Sequence, residues 1–301
     1  MTKGREANEK MAVKAHLNEF YHLKMPLPFR LGTTSYIIPD DIIPNVRHLS
    51  GRLDDVELVL FETDEFSNMP SPEEVLELAR LAGDAGLSYT VHLPLDTALG
   101  SADETERISS VAKCRRVMKR MAPVAPFAWI LHLHGDRRGD PPTDELDRWM
   151  EQNRRSLKEL LYTGDVNPKK VCVETLDYNF DLVAGLVEAF DLSVCLDIGH
   201  LLVRDRNVAT HLDRWLDRAR VFHVHGVDAD GTDHTSLEHL PGGLLENLSG
   251  RLAQLPLDDE RVVTLEVFGE DDFERSMAVV WKRLQIWHAD ALMQSEEMMV
   301  P

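Results

Sequence analysis

Side chains that bind metal ions recur at the ends of short apolar runs in this sequence. Each run is rich in β-branched residues and is flanked by polar or turn residues, as is typical of a buried strand. Histidine nitrogen together with carboxylate oxygen suits a divalent transition metal, so zinc is expected, with manganese, iron or cobalt as alternatives. The candidate ligands are His92, His132, His134, Glu174, Asp197, His200, His223, His225 and Glu266, with Asp233 and His234 in the loop after His225.

Spacing within the runs leaves the identity of the ligand open at two places. Residues two apart on a strand point to the same side, so His132 and His134 share a face, as do His223 and His225. At most one histidine of each pair needs to bind a metal, and the other can contact substrate.

A single histidine at the end of a strand more often has a structural role than a metal-binding one. Seven of the thirteen histidines lie in or just after strand candidates, and this clustering favours a site for one to three ions.

Eight strand candidates separated by helical patterns must position these residues. Their ends fall near residues 34, 62, 92, 132, 174, 197, 225 and 266. Repeated strand–helix units at this spacing predict an α/β fold, a single-domain (β/α)8 TIM barrel, with the active site at the carboxyl ends of the strands. A doubly wound open sheet is the alternative, but no glycine-rich phosphate-binding motif follows the first strand. The barrel is expected over residues 29–301, after an N-terminal helical extension over residues 1–28.

Local signals predict several element boundaries. Strand one is expected over Phe29–Ile37 and strand two over Val56–Glu62. The run Ser71-Pro72-Glu73-Glu74 predicts a helix start with a capping box and proline at the first helical position. His200 is expected in the loop just beyond strand six. A loop of small and acidic residues is expected after strand seven, and a final helix from Asp271 to about Leu292.

Composition and charge narrow the classes of function. The chain has 301 residues, a formal net charge of −19 and three cysteines, two of them in apolar strand candidates. An acidic chain argues against a nucleic-acid partner, because binding of a polyanion normally requires a basic face. The few cysteines and the lack of an apolar segment of membrane-spanning length predict a cytoplasmic protein with no membrane span. The oligomeric state stays open.

The order of the candidate ligands resembles the xylose-isomerase-like superfamily, which joins endonuclease-IV-type AP endonucleases with sugar isomerases and epimerases on one metal-dependent barrel. The matching pattern is His after strands three, four and seven, Glu after strands five and eight, and Asp-x-x-His after strand six. The resemblance implies that Glu174 bridges metals. It also implies three ligand sets, namely His92 with His132 or His134, then Asp197 with His223 or His225 and Glu266, and finally His200 and His234 with Asp233.

Longer stretches are similar to one branch of that superfamily, the bacterial cobamide-remodelling phosphodiesterases. The similar stretches are Phe29–Ile37, Val56–Glu62, Tyr89–Leu95 and His223–Gly226 with Asp233-His234. This similarity implies a corrinoid substrate whose nucleotide-loop phosphoester is cleaved to give a cobinamide-type product. Simple isomerases of the superfamily lack the third ligand set, so its presence here favours phosphoester hydrolysis.

Metal-assisted hydrolysis is therefore expected, with Glu174, Asp197 and Glu266 as catalytic residues. The alternatives are a sugar isomerase or epimerase in which Glu174 and Glu266 relay a proton beside a carbonyl, an AP endonuclease, and a corrinoid- or metal-binding protein without catalysis. Substrate contacts are expected from Tyr36, Glu62 and Tyr178, and further candidates for holding a corrin ring are Phe20, Tyr21, Met25 and the loop 66–69.

Overall fold

Eight parallel strands close into a barrel in the computed structural model, which describes residues 27–63, 66–162, 166–256 and 260–297. Each strand pairs with the next along the chain and the first pairs with the last, so the predicted (β/α)8 TIM barrel is confirmed. The strands are β1 (Arg30–Thr34), β2 (Asp55–Val59), β3 (Ser88–His92), β4 (Ala128–Leu131), β5 (Val171–Glu174), β6 (Ser193–Asp197), β7 (Ala219–Val224) and β8 (Val262–Leu265).

Helices cover the outside of the barrel. The predicted capping box is confirmed, because the Ser71 hydroxyl accepts from the Glu74 backbone N–H while the Glu74 carboxylate accepts from the Ser71 N–H. The α-helices in the described ranges are α1 (Ile42–Leu49), α2 (Pro72–Ala85), α3 (Glu104–Met121), α4 (Leu146–Tyr162), α5 (Asp181–Ala189), α6 (Ile198–Val203), α7 (Val208–Trp215), α8 (Leu244–Leu252) and α9 (Glu270–Glu297).

Successive side chains of each strand point alternately out of the barrel and into it, which separates two hydrophobic cores and directs the candidate ligands inward. On β5, Val173 packs in the large core beneath the helices, whereas Cys172 belongs to a separate small cluster inside the barrel. Glu174 lies two residues after Cys172 and therefore on the same inward face. On β6, Asp197 follows Cys195 on the inward face in the same way. On β5 and β6 the inward face is therefore apolar deep in the barrel and bears candidate ligands at its carboxyl end. The small cluster consists of Phe127, Ala128, Ile130, Cys172, Cys195, Val221 and Val262.

The second strand is shorter than predicted, since β2 ends at Val59 and not at Glu62. The reason is the side chain of Asn68, whose amide takes the place of a neighbouring strand. Its Oδ1 accepts from the Phe61 N–H at 2.6 Å, and its Nδ2 donates to the Val59 carbonyl at 2.9 Å. The chain therefore leaves the sheet after Val59, and Glu62 lies outside the barrel wall.

Two other predictions about local structure are wrong or incomplete. His200 lies in α6 and not in a loop, because the Asp197 carboxylate caps that helix by accepting from the His200 N–H at 2.7 Å. The stretch between β7 and β8 contains α8, which was not expected. The predicted N-terminal extension, with Phe20, Tyr21 and Met25, lies almost wholly outside the described residues. In the described ranges, every helix is too short or too polar to cross a bilayer.

Candidate metal centre

Glu174 lies at the centre of the candidate site and is only 1% exposed. Its two carboxylate oxygens face different groups of histidines. Oε2 lies 2.8 Å from Nε2 of His132 and 3.3 Å from Nε2 of His92. Oε1 lies 3.4 Å from Nδ1 of His200 and 3.7 Å from Nδ1 of His223. A carboxylate oriented in this way can bridge two ions.

The ligand-type side chains near Glu174 gather into overlapping groups that could hold metal ions. Within each group, one ligand atom from every member lies within 4.8 Å of the others. Three of the groups share Glu174, so ions bound in them would be close neighbours. The groups are His92, His132 and Glu174; Glu174, Asp197, His223 and Glu266; Glu174, Cys195 and His223; and His200, His225 and His234.

Several buried atoms in these groups make no hydrogen bond in the described structure. They are Oδ2 of Asp197, Nδ1 of His223, Nε2 of His225 and Oε2 of Glu266. Some lie within ion-pair distance of one another, such as His223 Nδ1 and Glu266 Oε2 at 3.2 Å, but without hydrogen-bond geometry. Buried polar atoms rarely stay unsatisfied, and nitrogen and oxygen donors that converge in this way suit a divalent transition metal. The residues present therefore fit metal ions.

Electrostatics at the centre favours ionised carboxylates. Burial opposes the charge of Glu174, but neighbouring histidines, His132 foremost, bring its pKa well below the usual range. Burial likewise opposes the charge of His200, but the Asp197 carboxylate brings its pKa well above the ordinary value. Burial and the nearby His132 lower the pKa of His134 to about 3, so His134 is neutral at physiological pH.

Glu57 is a site residue that the sequence analysis missed. It is fully buried on the inward face of β2, and its Oε2 lies 2.8 Å from Nε2 of His223. This contact leaves Nδ1 of His223 facing Glu266 and Glu174. The sequence does carry a signal, because Asp55 and Glu57 alternate with valine and leucine in the second strand. Two acidic residues on one face of a buried strand need partners inside the barrel.

His225 and His234 form the outer part of the site. Their rings stack with 4.2 Å between centroids and an angle of 12° between planes. The backbone N–H of His234 also donates to Nδ1 of His225 at 2.9 Å. The ring of His225 lies directly on Gly199, where a Cβ atom would come within 2.0 Å of it. His234 has a positive φ of 54°, a conformation uncommon outside glycine. Packing and backbone together thus fix this pair beside His200.

The remaining predicted ligands, His134 and Asp233, lie at the rim. Nε2 of His134 is 3.1 Å from Nδ1 of His132, and Oδ1 of Asp233 is 3.1 Å from Nδ1 of His234. Both line the cavity, but neither belongs to one of the ligand groups found among the described residues. Each can orient the histidine that it contacts, and a direct role as ligand stays a prediction.

The three residues predicted to contact substrate lie away from the cavity. The Tyr36 hydroxyl accepts from Asn68 at 2.7 Å, and Glu62 pairs with Arg116 and Ser67. Tyr178 is buried and donates to the Leu133 carbonyl at 2.9 Å. The structure therefore does not bring them to the metal groups, and their contact with substrate stays a prediction. The residues of the loop 66–69 also lie outside the cavity lining.

A cavity of about 310 Å³ opens above these groups at the carboxyl ends of the strands. Its wall includes Arg138, Arg204, Leu95 and Phe268, none of which the sequence analysis singled out. Phe268 is 47% exposed and Leu95 is 39% exposed. The cavity therefore combines candidate metal ligands at its floor with two cationic and two exposed apolar side chains near its mouth.

Comparison with known proteins points to one family. The family model described as xylose isomerase-like TIM barrel matches residues 51–287. No curated protein sequence matches the chain. Similar solved structures include 3-keto-D-glucoside 4-epimerase from E. coli in its apo form, with a TM-score of 0.63 and 16% identity over 85% of this chain and 99% of that one.

Two further solved structures resemble the chain to a similar degree. A D-tagatose 3-epimerase-like protein gives a TM-score of 0.62 and 18% identity, over 89% of this chain and 99% of that one. Endonuclease IV from Thermus thermophilus gives a TM-score of 0.61 and 21% identity, over 84% of this chain and 99% of that one. At such low identities the likeness establishes the fold alone.

Proposed function

Because this chain belongs to the xylose isomerase-like TIM-barrel family, we propose that it is a metal-dependent phosphodiesterase that cleaves the nucleotide-loop phosphoester of cobamides. The product is a cobinamide-type corrinoid, ready for rebuilding with another lower ligand. The observation that carries the proposal is the placement of Glu174, whose two oxygens face separate histidine groups. Phosphoester hydrolases commonly use two neighbouring ions, and a bridging carboxylate suits such a pair.

The side chains present supply three binding sets for one to three ions. His92, His132 and Glu174 form the first, and Glu174, Asp197, His223 and Glu266 form the second. The third is formed by His200, His225 and His234. Mixed nitrogen and oxygen donors suit zinc first, with manganese, iron or cobalt as alternatives.

The chain contributes to the reaction by placing negative charge around the bound ions. Divalent ions bound there would activate water and stabilise negative charge on the phosphoryl oxygens. In the hydrolysis, a water oxygen bonds to phosphorus, the ester bond to the leaving alcohol breaks, and that alcohol gains a proton. Glu174, Asp197 and Glu266 keep their negative charge in a buried setting, which balances the charge of the bound ions.

The dimensions of the cavity restrict how a corrinoid can bind. A space of about 310 Å³ is at the lower end for ligand pockets and is too small for a corrin ring. The nucleotide loop can enter with its phosphate, while the ring stays outside against the exposed side chains of Leu95 and Phe268. The choice of a cobamide rests on the similarity of the stretches 29–37, 56–62 and 89–95 to the cobamide-remodelling branch.

A sugar epimerase is the second candidate, and specific observations favour it. Two of the similar structures named above are epimerases or epimerase-like proteins, and the cavity is of a size for a monosaccharide. In such an enzyme one metal on Glu174, Asp197, His223 and Glu266 suffices, with the two glutamates relaying a proton beside the carbonyl. The histidines of the first and third sets have no evident task in this chemistry.

An AP endonuclease is less well supported, although endonuclease IV shares the fold. The net charge of −19 opposes binding to a DNA backbone, which depends on cationic side chains. A corrinoid- or metal-binding protein without catalysis would use the same ligands and differ only in the lack of turnover.

The deciding experiment gives the metal-loaded protein three substrates in parallel and separates the products by chromatography. The substrates are a complete cobamide, a set of ketohexoses and a duplex with one abasic site. Release of a cobinamide-type product from the cobamide supports the proposal. An epimerised ketose or a nicked duplex with intact cobamide would replace it by the corresponding alternative, and retention of the cobamide without turnover would indicate a binding protein.

A further inference from the structure

Two arginines share the cavity with the candidate metal ligands. Arg138 lies on the loop after β4, and Arg204 follows the last residue of α6. Both line the same cavity as Glu174 and Glu266. A guanidinium group and a bound metal ion repel each other because both are positively charged. Arginines beside a metal centre therefore indicate a site for a negatively charged ligand between them and the ions.

Asp177 also lines the cavity and contacts both of the segments that carry these arginines. Its Oδ2 accepts from the Gly139 N–H at 2.6 Å, which fixes the residue next to Arg138. The same oxygen lies 3.7 Å from Nη2 of Arg204, a distance too long for a hydrogen bond. Arg138 makes no ion pair within the described ranges of the chain. Most of the donor capacity of both guanidinium groups is thus available to a ligand.

The surrounding loop is anchored by other arginines that point elsewhere. Arg137 forms a two-pronged pair with Asp144, with nitrogen–oxygen distances of 2.7 and 3.1 Å. Arg206 pairs with Asp140 at 2.7 Å and so ties this loop to the turn after α6. Neither Arg137 nor Arg206 lines the cavity. Arg137 and Arg206 thus have structural partners of their own. Of the two arginines at the cavity, Arg204 has only the distant Asp177, and Arg138 has no ion-pair partner among the described residues.

We propose that Arg138 and Arg204 form an anion subsite that grips the phosphate of the substrate beside the metal centre. The inference rests on the proposed phosphodiesterase function and extends it, since it assigns substrate recognition to residues outside the ligand groups. The planar guanidinium group can bind two phosphate oxygens at once. A neutral ketose offers nothing that requires two such cations. The subsite thus selects substrates that carry a phosphate at the position of cleavage.

The test measures binding of inorganic phosphate to the metal-loaded protein, which needs no turnover. Calorimetry compares the parent with Arg138→Gln and Arg204→Gln, and with Arg80→Gln and Arg154→Gln, two exposed arginines outside the cavity and outside the loop of Arg138, as controls. We expect the dissociation constant for phosphate to rise about 10-fold or more in each cavity variant, because a charged hydrogen bond is lost. The control variants should bind phosphate as the parent does. Metal content and thermal unfolding verify that every variant is folded and loaded.

A kinetic arm uses cleavage of the cobamide, where the cavity variants should raise KM more than they lower kcat. Parent-like phosphate binding in both cavity variants would overturn the subsite, even if the protein cleaves cobamides. Weakened phosphate binding in these variants supports the subsite. If the parent then leaves cobamides intact, the failure belongs to the proposed substrate and not to the anion site.

Discussion

Glu57 and His223 form a fully buried pair inside the barrel, with Oε2 of Glu57 2.8 Å from Nε2 of His223. The contact crosses the barrel from β2 to β7 and fixes the orientation of the imidazole. Nδ1 of His223 is thereby directed at the carboxylates of Glu266 and Glu174, at 3.2 and 3.7 Å. A carboxylate behind a metal-binding histidine typically fixes the ring and raises its strength as a ligand.

The Glu57→Gln variant tests this relationship. Glutamine keeps the volume but removes the charge behind His223, so we expect metal affinity to fall about 10- to 100-fold while the protein stays folded. Titration against a competing chelator measures the change. Asp55→Asn is the control, because Asp55 is on the same face of β2 but further from the site, and its metal affinity should match the parent. Unchanged affinity in Glu57→Gln would show that the pair is only structural.

Gly199 provides a second test, because its α-carbon touches the ring of His225. A Cβ atom there would lie 2.0 Å from Cε1 of His225, closer than atoms can approach, so Gly199→Ala must displace the histidine. We expect weaker metal binding and a loss of stability on the order of 1–3 kcal/mol, as for an overpacked core. Chemical denaturation and metal titration give the two quantities.

Gly185→Ala is the matched control for this substitution. Gly185 is an exposed residue in the middle of α5, and a Cβ atom there meets nothing within 4 Å. Alanine should therefore stabilise the protein by about 0.5–1 kcal/mol, since glycine is unfavourable inside a helix. A Gly199→Ala protein that also gains stability and retains its metal would contradict the tight contact with His225.

The barrel and most of the ligand set are predictable from the sequence because both depend on short-range patterns. Apolar runs with a polar last residue mark strands, and closure of the barrel brings those last residues together. In contrast, the sequence does not show which of His223 and His225 belongs to which ligand group. Both histidines face inward, and their depth in the barrel decides which groups each one joins. That depth depends on strand tilt and register, which no local pattern reveals.

Glu57 and Arg138 are not predictable from the sequence either, because their roles depend on contacts with distant parts of the chain. Glu57 lies inside a run that reads as a buried strand, so its acidity has meaning only once His223 is known to lie opposite. Arg138 is in a loop, and long-range contacts of that loop, such as the hydrogen bond from the Gly139 N–H to Asp177, place it in the cavity lining. The predicted strand two extends beyond the observed one, because after Val59 the side chain of Asn68 takes over hydrogen bonds that a neighbouring strand would make. Such long-range hydrogen bonds cannot be deduced from periodicity.

The Glu174→Gln variant tests the bridging carboxylate. The change removes charge without volume, so the fold should survive. Loss of a residue that only supports a metal ligand typically lowers metal affinity or activity about 10- to 100-fold. Because Glu174 is itself a candidate ligand, we expect the rate of cobamide cleavage to fall by more than about 100-fold. Elemental analysis should find tightly bound transition metal in the parent and less in the variant. The control is Glu188→Gln on the exposed face of α5, and near-parental turnover in Glu174→Gln would refute the bridging role.

The last prediction concerns stability at the other end of the barrel, where Asp55 is fully buried on β2. Burial raises the pKa of this carboxyl from 3.8 to about 6, against the opposing effect of hydrogen bonds from Ser88 and Thr90. Above pH 6 the buried charge destabilises the folded state. As the pH falls from 6 toward 3.8, the folded protein takes up the proton before the unfolded chain does, and the penalty disappears.

Asp55→Asn should therefore be more stable than the parent at pH 8, by about 1–3 kcal/mol at 1.36 kcal/mol for each pKa unit. The amide can still accept from the Thr90 N–H, and the Ser88 hydroxyl can turn to donate to the Asp54 carbonyl, 3.3 Å away. Urea unfolding at pH 8, 6 and 4.5 measures the difference, which should shrink steadily toward the lowest pH. An advantage that is absent at pH 8, or equal at all three values, would mean that Asp55 carries no buried charge, or that the variant acts through packing.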